Sequence, residues 1–228
     1  MDSNTTIQRQ RPLAAEEGIA AVVFDLDGVL VDSFGVMQQA FARAYAEVVG
    51  EGAAPFDEYR KHLGRYFPDI MRIMDLPLEL EEPFVRESYR LADRVRLFDG
   101  VRELLSDLRG RGVRMAVATG KSGPRARSLL DGLGVLGHFE HVIGSDEVAR
   151  AKPAPDIVLR ALELLDTPAH RAVMVGDAVT DLVAAREAGV RGIAATWAEA
   201  DVAALLGAEP DAVLGVPDEL LALVAPPR

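Results

Sequence analysis

The sequence predicts a doubly wound α/β fold carrying an inserted helical segment, and three observations support that expectation. Short apolar runs recur, each followed by a polar or glycine turn and then a stretch of helical period. Three of those runs end in a side chain capable of chemistry. The interval from Phe34 to about Phe98 breaks the rhythm, being helix-rich and without a convincing strand.

The first run, Ile19–Phe24, leads directly into Asp25. Residues 1–18 lack the uninterrupted apolar core of a signal peptide and are expected to form a disordered tail. Within the irregular interval, Val36, Ala40, Phe41, Ala44, Tyr45 and Val48 recur at helical spacing, followed by Ile70, Met71 and Met74, and then Val85, Tyr89 and Leu91. Hinges are expected near Asp32–Gly35 and Leu97–Gly100. The rhythm resumes with a helix near Val101–Arg109, the run Met115–Ala118 ending at Thr119, and a helix near Pro124–Leu133. Next come the run Val142–Ile143 and a helix near Pro155–Leu165, whose proline suits a first turn. The run Ala172–Val175 leads to Asp177 and a helix near Val179–Ala188. The run Gly192–Ala195, a helix near Glu199–Leu205 and a sixth run, Ala212–Leu214, complete the pattern. The expected organisation is a core made of residues 19–33 and 99–228, with a helical insert at 34–98.

The chain is long enough, at 228 residues, for one full α/β domain and a small accessory one. It has no cysteine, which excludes disulfides, thiolate metal sites and cysteine nucleophiles. A net charge of −11 argues against nucleic acid or an anionic membrane as a partner. No run approaches the roughly 18 apolar residues of a membrane-spanning helix. A cytoplasmic protein, monomer or homodimer, is expected. An anionic substrate would then need positive charge concentrated at the site.

In an open parallel sheet, ligands bind beyond the carboxyl ends of the strands, so Asp25, Thr119 and Asp177 converge on one crevice. In Asp25-Leu26-Asp27-Gly28, strand alternation lets both acids share a side, and the glycine permits a tight bend. Two carboxylates so close suit a nucleophile and an acid/base, although a solvated turn is the bland alternative. Asp177 ends a strand with Asp181 one helical turn on. Asp25 and Asp177, with carbonyls and water, make a hard oxygen site suited to Mg2+, while Asp181 orients the site. Helix N-terminal stabilisation is the competing reading of Asp177. Thr119, Gly120, Lys121 and Ser122 form a strand–helix turn able to cradle an anion. Lys152, between Ala151 and Pro153 in a proline-stiffened loop, offers a cation whose ordering costs little entropy.

These segments, DLDGVLVDS at 25–33, ATG at 118–120, Lys152 in AKPAPD and GDAVTD at 176–181, resemble the haloacid dehalogenase superfamily of phosphotransferases. The resemblance covers the chain from Ile19 onward. It implies a Rossmann-like core with a helical cap inserted after the first motif, and hydrolysis of a small-molecule phosphate ester. Asp25 would attack phosphorus and Asp27 serve as general acid/base. Thr119, Gly120 and Lys152 would hold the phosphoryl group, and Asp25, Asp177 and the Asp27 carbonyl would bind Mg2+. A halide leaving group needs no proton, so Asp27 favours phosphate chemistry over dehalogenation. Met37 stands where the β-phosphoglucomutase branch carries a histidine, which ranks hydrolase above mutase; a phosphoglycolate phosphatase-like enzyme is a further alternative. GRYFPDIMRIM (64–74), PFVRESYRLA (83–92) and TGKSGPRARSLLDGLGVL (119–136) also resemble the phosphatases of 3-amino-5-hydroxybenzoate (AHBA) synthesis, which implies an aminosugar-type ester.

His62, Arg65 and Tyr66 form a cap loop that could close over the substrate with Lys121 opposite, or an exposed helix-end cluster. His138, His141 and His170 lack ligand-like spacing. Trp197 is expected in core or rim packing, and Met37, Met71 and Met74 on an apolar cap face.

Overall fold

The computed structural model describes residues 18–198 and 201–224. The expected tail therefore lies outside the described residues except for Gly18, as does Glu199 at the start of one expected helix. Along the chain, β1 (Ala21–Phe24) is followed by the short β2 (Val31–Asp32). Four helices come next: α1 (Phe34–Val48), α2 (Phe56–Arg60), α3 (Phe67–Ile73) and α4 (Glu81–Arg90). A second short strand, β3 (Arg96–Leu97), leads to α5 (Val101–Gly110), β4 (Arg114–Thr119) and α6 (Gly123–Gly132). Then follow β5 (His141–Gly144), α7 (Asp156–Leu164), β6 (Ala172–Gly176), α8 (Val179–Glu187) and β7 (Arg191–Ala195). The described chain closes with α9 (Val202–Gly207), β8 (Ala212–Leu214) and α10 (Leu220–Leu223).

Six strands pair in parallel in the order β5-β4-β1-β6-β7-β8. This is a doubly wound Rossmann-like sheet whose order reverses at β1, where such sheets bind ligands. Side-chain alternation along β1 explains the two cores. Val22 and Phe24 point to the face covered by α5, α6 and α10, and Ala21 and Val23 to the face covered by α7 and α8. Both faces are buried, so the strands read as continuous apolar runs rather than alternating ones.

The helical insert has its own core, built around Phe41, Phe56, Tyr59, Phe67 and Phe84. Phe41 stacks on Tyr59 at 4.7 Å and Phe67 on Phe84 at 4.2 Å between ring centroids. The expectation of no strand in this interval is corrected by β3, which pairs antiparallel with β2 where the insert leaves and rejoins the sheet. Two residues a side are too few to show a period of two. A smaller correction concerns Pro155, which precedes α7 as its cap rather than lying within it.

Candidate active site

The register brings Phe24 level with Val117 and Val175, so Asp25 emerges between Ala118 and Gly176 at the reversal of strand order. Its backbone N–H donates to the Val175 carbonyl at 2.9 Å, which anchors the residue to the sheet. The Lys152 ammonium, 1% exposed, donates to Asp25 Oδ1 at 2.8 Å, to Asp181 Oδ1 at 2.6 Å and to the Ala118 carbonyl at 3.1 Å. All three donor positions are thus used, as a buried ammonium requires. Burial disfavours its charge, but Asp181 and Asp25 outweigh that and hold Lys152 protonated. Asp181 Oδ2 accepts the Ala178 N–H at 3.1 Å, which commits its second oxygen as well. A β-carbon on Gly176 would overlap Asp181, so glycine is needed at that strand end.

Oxygens of Asp25, Asp177 and Asp181 lie within 4.8 Å of one another. Among the described residues Asp177 has no ion pair within 4.0 Å. Burial, with repulsion from Asp25 and Asp181, pushes the Asp177 carboxyl well above the usual range. Burial likewise raises Asp25 to about 7, against the pull of Lys152 and with the push of Asp181. Buried carboxylates with raised proton affinity and hard oxygen donors fit a small divalent cation such as Mg2+. Asp25 and Asp177 would hold it, since Asp181 has both oxygens committed. Gly28 faces Asp177 with φ +82°, and any β-carbon there would overlap the Asp177 carboxylate.

Asp27 stands apart from that trio. Its Oδ1 accepts the Ser33 hydroxyl at 2.5 Å and its Oδ2 lies 3.1 Å from Lys121 Nζ. Burial alone would raise Asp27, yet Lys121, the Ser33 bond and Arg125 together hold it below the usual carboxylate range. Thr119 is buried at the end of β4, its carbonyl accepting the Ser145 hydroxyl at 3.0 Å and its Oγ1 the Lys121 N–H at 3.2 Å. A β-carbon on Gly120 would sit 2.6 Å from the Arg65 carbonyl and 2.8 Å from that of Gly64, so the insert lies directly on this turn.

A cavity of about 530 Å3 lies between insert and sheet, with Asp25, Asp27, Thr119 and Asp177 among its walls. Arg65 and Lys121 reach it. The rest of their expected cluster does not gather there: His62 faces Glu58 at 3.5 Å, and the Tyr66 hydroxyl faces Glu81 at 3.5 Å. Trp197 packs against the core, lines the cavity and donates Nε1–H to the Val29 carbonyl at 3.0 Å. Met37 lines the cavity too, while Met71 and Met74 belong to the insert's core. His138, His141 and His170 are not on its walls. One charged cavity residue escapes the sequence reading: Arg125, buried on α6 with its guanidinium 5.2 Å from the Phe84 ring centroid. The available signal was an arginine on the inward face of α6, alongside Ala126 and Leu130.

The sequence profile of haloacid dehalogenase-like hydrolases matches residues 19–189. The chain belongs to this family. The haloacid dehalogenase-like assignment is reinforced by relatives of nearly equal length. A protein named "Probable phosphatase IndB", from Dickeya dadantii (strain 3937), is 33% identical over 88% of this chain and 91% of its own. The phosphoglycolate phosphatase of Caulobacter vibrioides is 35% identical over 76% of this chain and 78% of its own. Among solved structures, CbbY from Rhodobacter sphaeroides in complex with phosphate shares 28% identity and a TM-score of 0.77, covering 90% of this chain and 99% of that one. The fold and the enzyme class are therefore those of haloacid dehalogenase-like phosphatases.

Proposed function

We propose that this phosphatase hydrolyses the phosphate monoester of a small metabolite through an aspartyl-phosphate on Asp25, with Mg2+ held by Asp25, the Asp27 carbonyl and Asp177. The observation that carries the reading is Asp25 itself: a buried carboxylate at the strand reversal, gripped by Lys152 and opening on a cavity whose other wall belongs to the insert. Bound Mg2+ would supply charge neutralisation at the phosphoryl oxygens and at the crowded acids. Residues 34–98 then serve as a specificity cap over a catalytic core.

In the first step an Asp25 oxygen bonds to phosphorus as the bond from phosphorus to the leaving oxygen breaks. Lys121 and the backbone N–H of Gly120 contact the equatorial oxygens, Lys152 acts on them by its charge while it holds Asp25, and Arg65 stands at the cavity wall. Asp27, which takes up a proton from bulk water once the substrate has drawn Lys121 away, gives that proton to the leaving oxygen. Asp27 then takes a proton from water, whose oxygen bonds to phosphorus and releases inorganic phosphate and the Asp25 carboxylate. The Lys121 contact holds Asp27 ionised before substrate arrives. Transfer of Lys121 to a phosphoryl oxygen lifts that restraint and raises the proton affinity of Asp27 when the leaving oxygen needs a proton.

The cavity volume, about 530 Å3, favours a leaving portion of sugar size, in keeping with a sugar or aminosugar ester of AHBA-type biosynthesis. Met37 on the wall offers no proton-transfer group, which supports hydrolysis over a phosphoglucomutase-like transfer. Incubation with a panel of phosphate esters tests the reading. Phosphate release should require Mg2+, vanish with a chelator and exceed isomer formation. Chelator-insensitive release, or isomerisation as the main outcome, would overturn it.

A further inference from the structure

Two cations are buried among the described residues, Lys152 and Arg125. Lys152 is saturated by two carboxylates and a carbonyl. Arg125, 8% exposed, makes no hydrogen bond and no ion pair among the described residues; its one contact of note is the Phe84 ring. The adjacent cation on the same wall, Lys121, is committed to Asp27. A cation–π contact offsets only part of the cost of burying a guanidinium, and buried charges are ordinarily paired with an anion. Burial accordingly pulls the Arg125 pKa down, Asp27 being the main opposing charge. Arg125 thus lines the cavity, and a second small pocket beside it, with a rigid fork of N–H donors that finds no acceptor among the described residues.

We infer that Arg125 is a specificity-determining residue that binds a second anionic group, a carboxylate or a further phosphate, on the leaving portion of the substrate. The inference rests on the phosphatase reading and goes beyond it by assigning the chemistry of the far end of the ester. The reacting phosphoryl group is served by Lys152, Lys121 and the turn after Thr119, on the core side of the cavity. Arg125 meets the cap at Phe84 and lies near enough to Asp27 and Lys121 to act on their charges, so its fork serves the leaving portion of a bound ester just beyond the phosphoryl group. Tyr59, Phe67 and Phe84 would line the carbon skeleton between the two anions. The fork matches a carboxylate or phosphate in a two-point contact, so among the sugar-sized esters of the proposed function it favours one that carries a second anion over an aminosugar whose ammonium would lie against it.

The test is a matched series of alkyl phosphates of two to six carbons, each ending in a carboxylate, a second phosphate or the neutral amide. The purified full chain and its Arg125→Gln and Arg125→Lys variants are assayed with saturating Mg2+. The wild type should prefer one of the two anionic series over the amide by at least about 30-fold in kcat/KM, as expected for a charge-assisted pair. The preferred series then identifies the anion. In Arg125→Gln the ratio of anionic to amide ester should fall to within about threefold of unity, through KM, with Arg125→Lys between the two. A merely structural role would lower both series together and leave the ratio unchanged, and that result overturns the inference. So does a wild type indifferent to the terminal group. Turnover of no ester in any series would instead overturn the phosphatase reading itself.

Discussion

The two ends of the cavity solve the burial of charge in opposite ways. At the sheet end, Lys152 has every donor occupied by Asp25, Asp181 and the Ala118 carbonyl. At the cap end, Arg125 is nearly as deeply buried yet leans only on the Phe84 ring. One end is complete among the chain's own groups, which in the proposed mechanism preorganises those that meet phosphorus. On the inference drawn above, the other is completed by the substrate, and its unpaired charge acts as a selector. The proposed function then builds chemistry into the core and leaves choice to the seam between core and insert.

The sharpest way to break this division is Asp25→Asn. The amide keeps the shape and an oxygen for Lys152 but is no nucleophile, so activity on every ester should fall by about 10^4-fold or more. Phosphate release assays check this, and mass spectrometry of acid-quenched wild type should show a phosphoryl adduct on Asp25 that the variant lacks. Appreciable activity in the variant would remove Asp25 from the mechanism.

The next largest effect separates the two buried cations by stability. Lys152→Met leaves Asp25 and Asp181 buried without their cation and should cost about 3–5 kcal/mol. Arg125→Met removes a charge with no partner and adds an apolar chain beside Phe84, so the ligand-free protein should gain roughly 1–3 kcal/mol. Denaturant unfolding at pH 7.5 without added metal measures both. Equal losses in the two variants would show that the cations play the same part.

The same division sets what a reader of the sequence could see. The six strands were legible because both sheet faces are buried, leaving unbroken apolar runs such as Ala172–Val175. Asp25, Thr119, Lys152 and Asp177 were legible because each sits at a strand end or in a stiff turn, where local pattern fixes position. The ribbon of β2 and β3 was not, since its pairing spans the whole insert with two residues a side. Arg125 could be placed on the inward face of α6, but its role was hidden for a different reason. Its meaning lies in the acceptor it lacks, and a missing partner leaves no mark in a one-dimensional pattern. The pairing of Tyr66 with Glu81 and of His62 with Glu58 likewise depended on how α2, α3 and α4 pack.

A more moderate effect comes from pH. Asp25 is raised to about 7 from an ordinary value of 3.8, chiefly by burial, so the folded protein binds a proton there that the unfolded chain releases. From this group alone, the stability of the metal-free protein therefore falls as pH rises from about 4 to about 7. The same proton competes with a cation for the carboxylate. From Asp25 alone, Mg2+ affinity should be flat above pH 7 and fall about tenfold per unit below it, and Asp177, also raised by burial, steepens the dependence wherever it holds a proton. Calorimetric Mg2+ titrations from pH 5.5 to 8.5 measure the slope, and an affinity indifferent to pH between 6 and 7 would contradict a carboxylate cluster as the binding site.

The smallest expected effect lies at the junction between the two ends. Trp197 lines the cavity while its indole N–H donates to the Val29 carbonyl, in the same loop as Asp27 and Gly28. Trp197→Phe keeps an aromatic wall but leaves that carbonyl without the indole donor, which should cost about 0.5–1.5 kcal/mol in unfolding free energy. If the loop is held mainly by the sheet and by Gly28 against Asp177, kcat should stay within about threefold while KM for bulky esters shifts. A loss in kcat much larger than the loss in stability would mean that Trp197 positions Asp27, and that the cap-side seam reaches into the chemistry it is otherwise separate from.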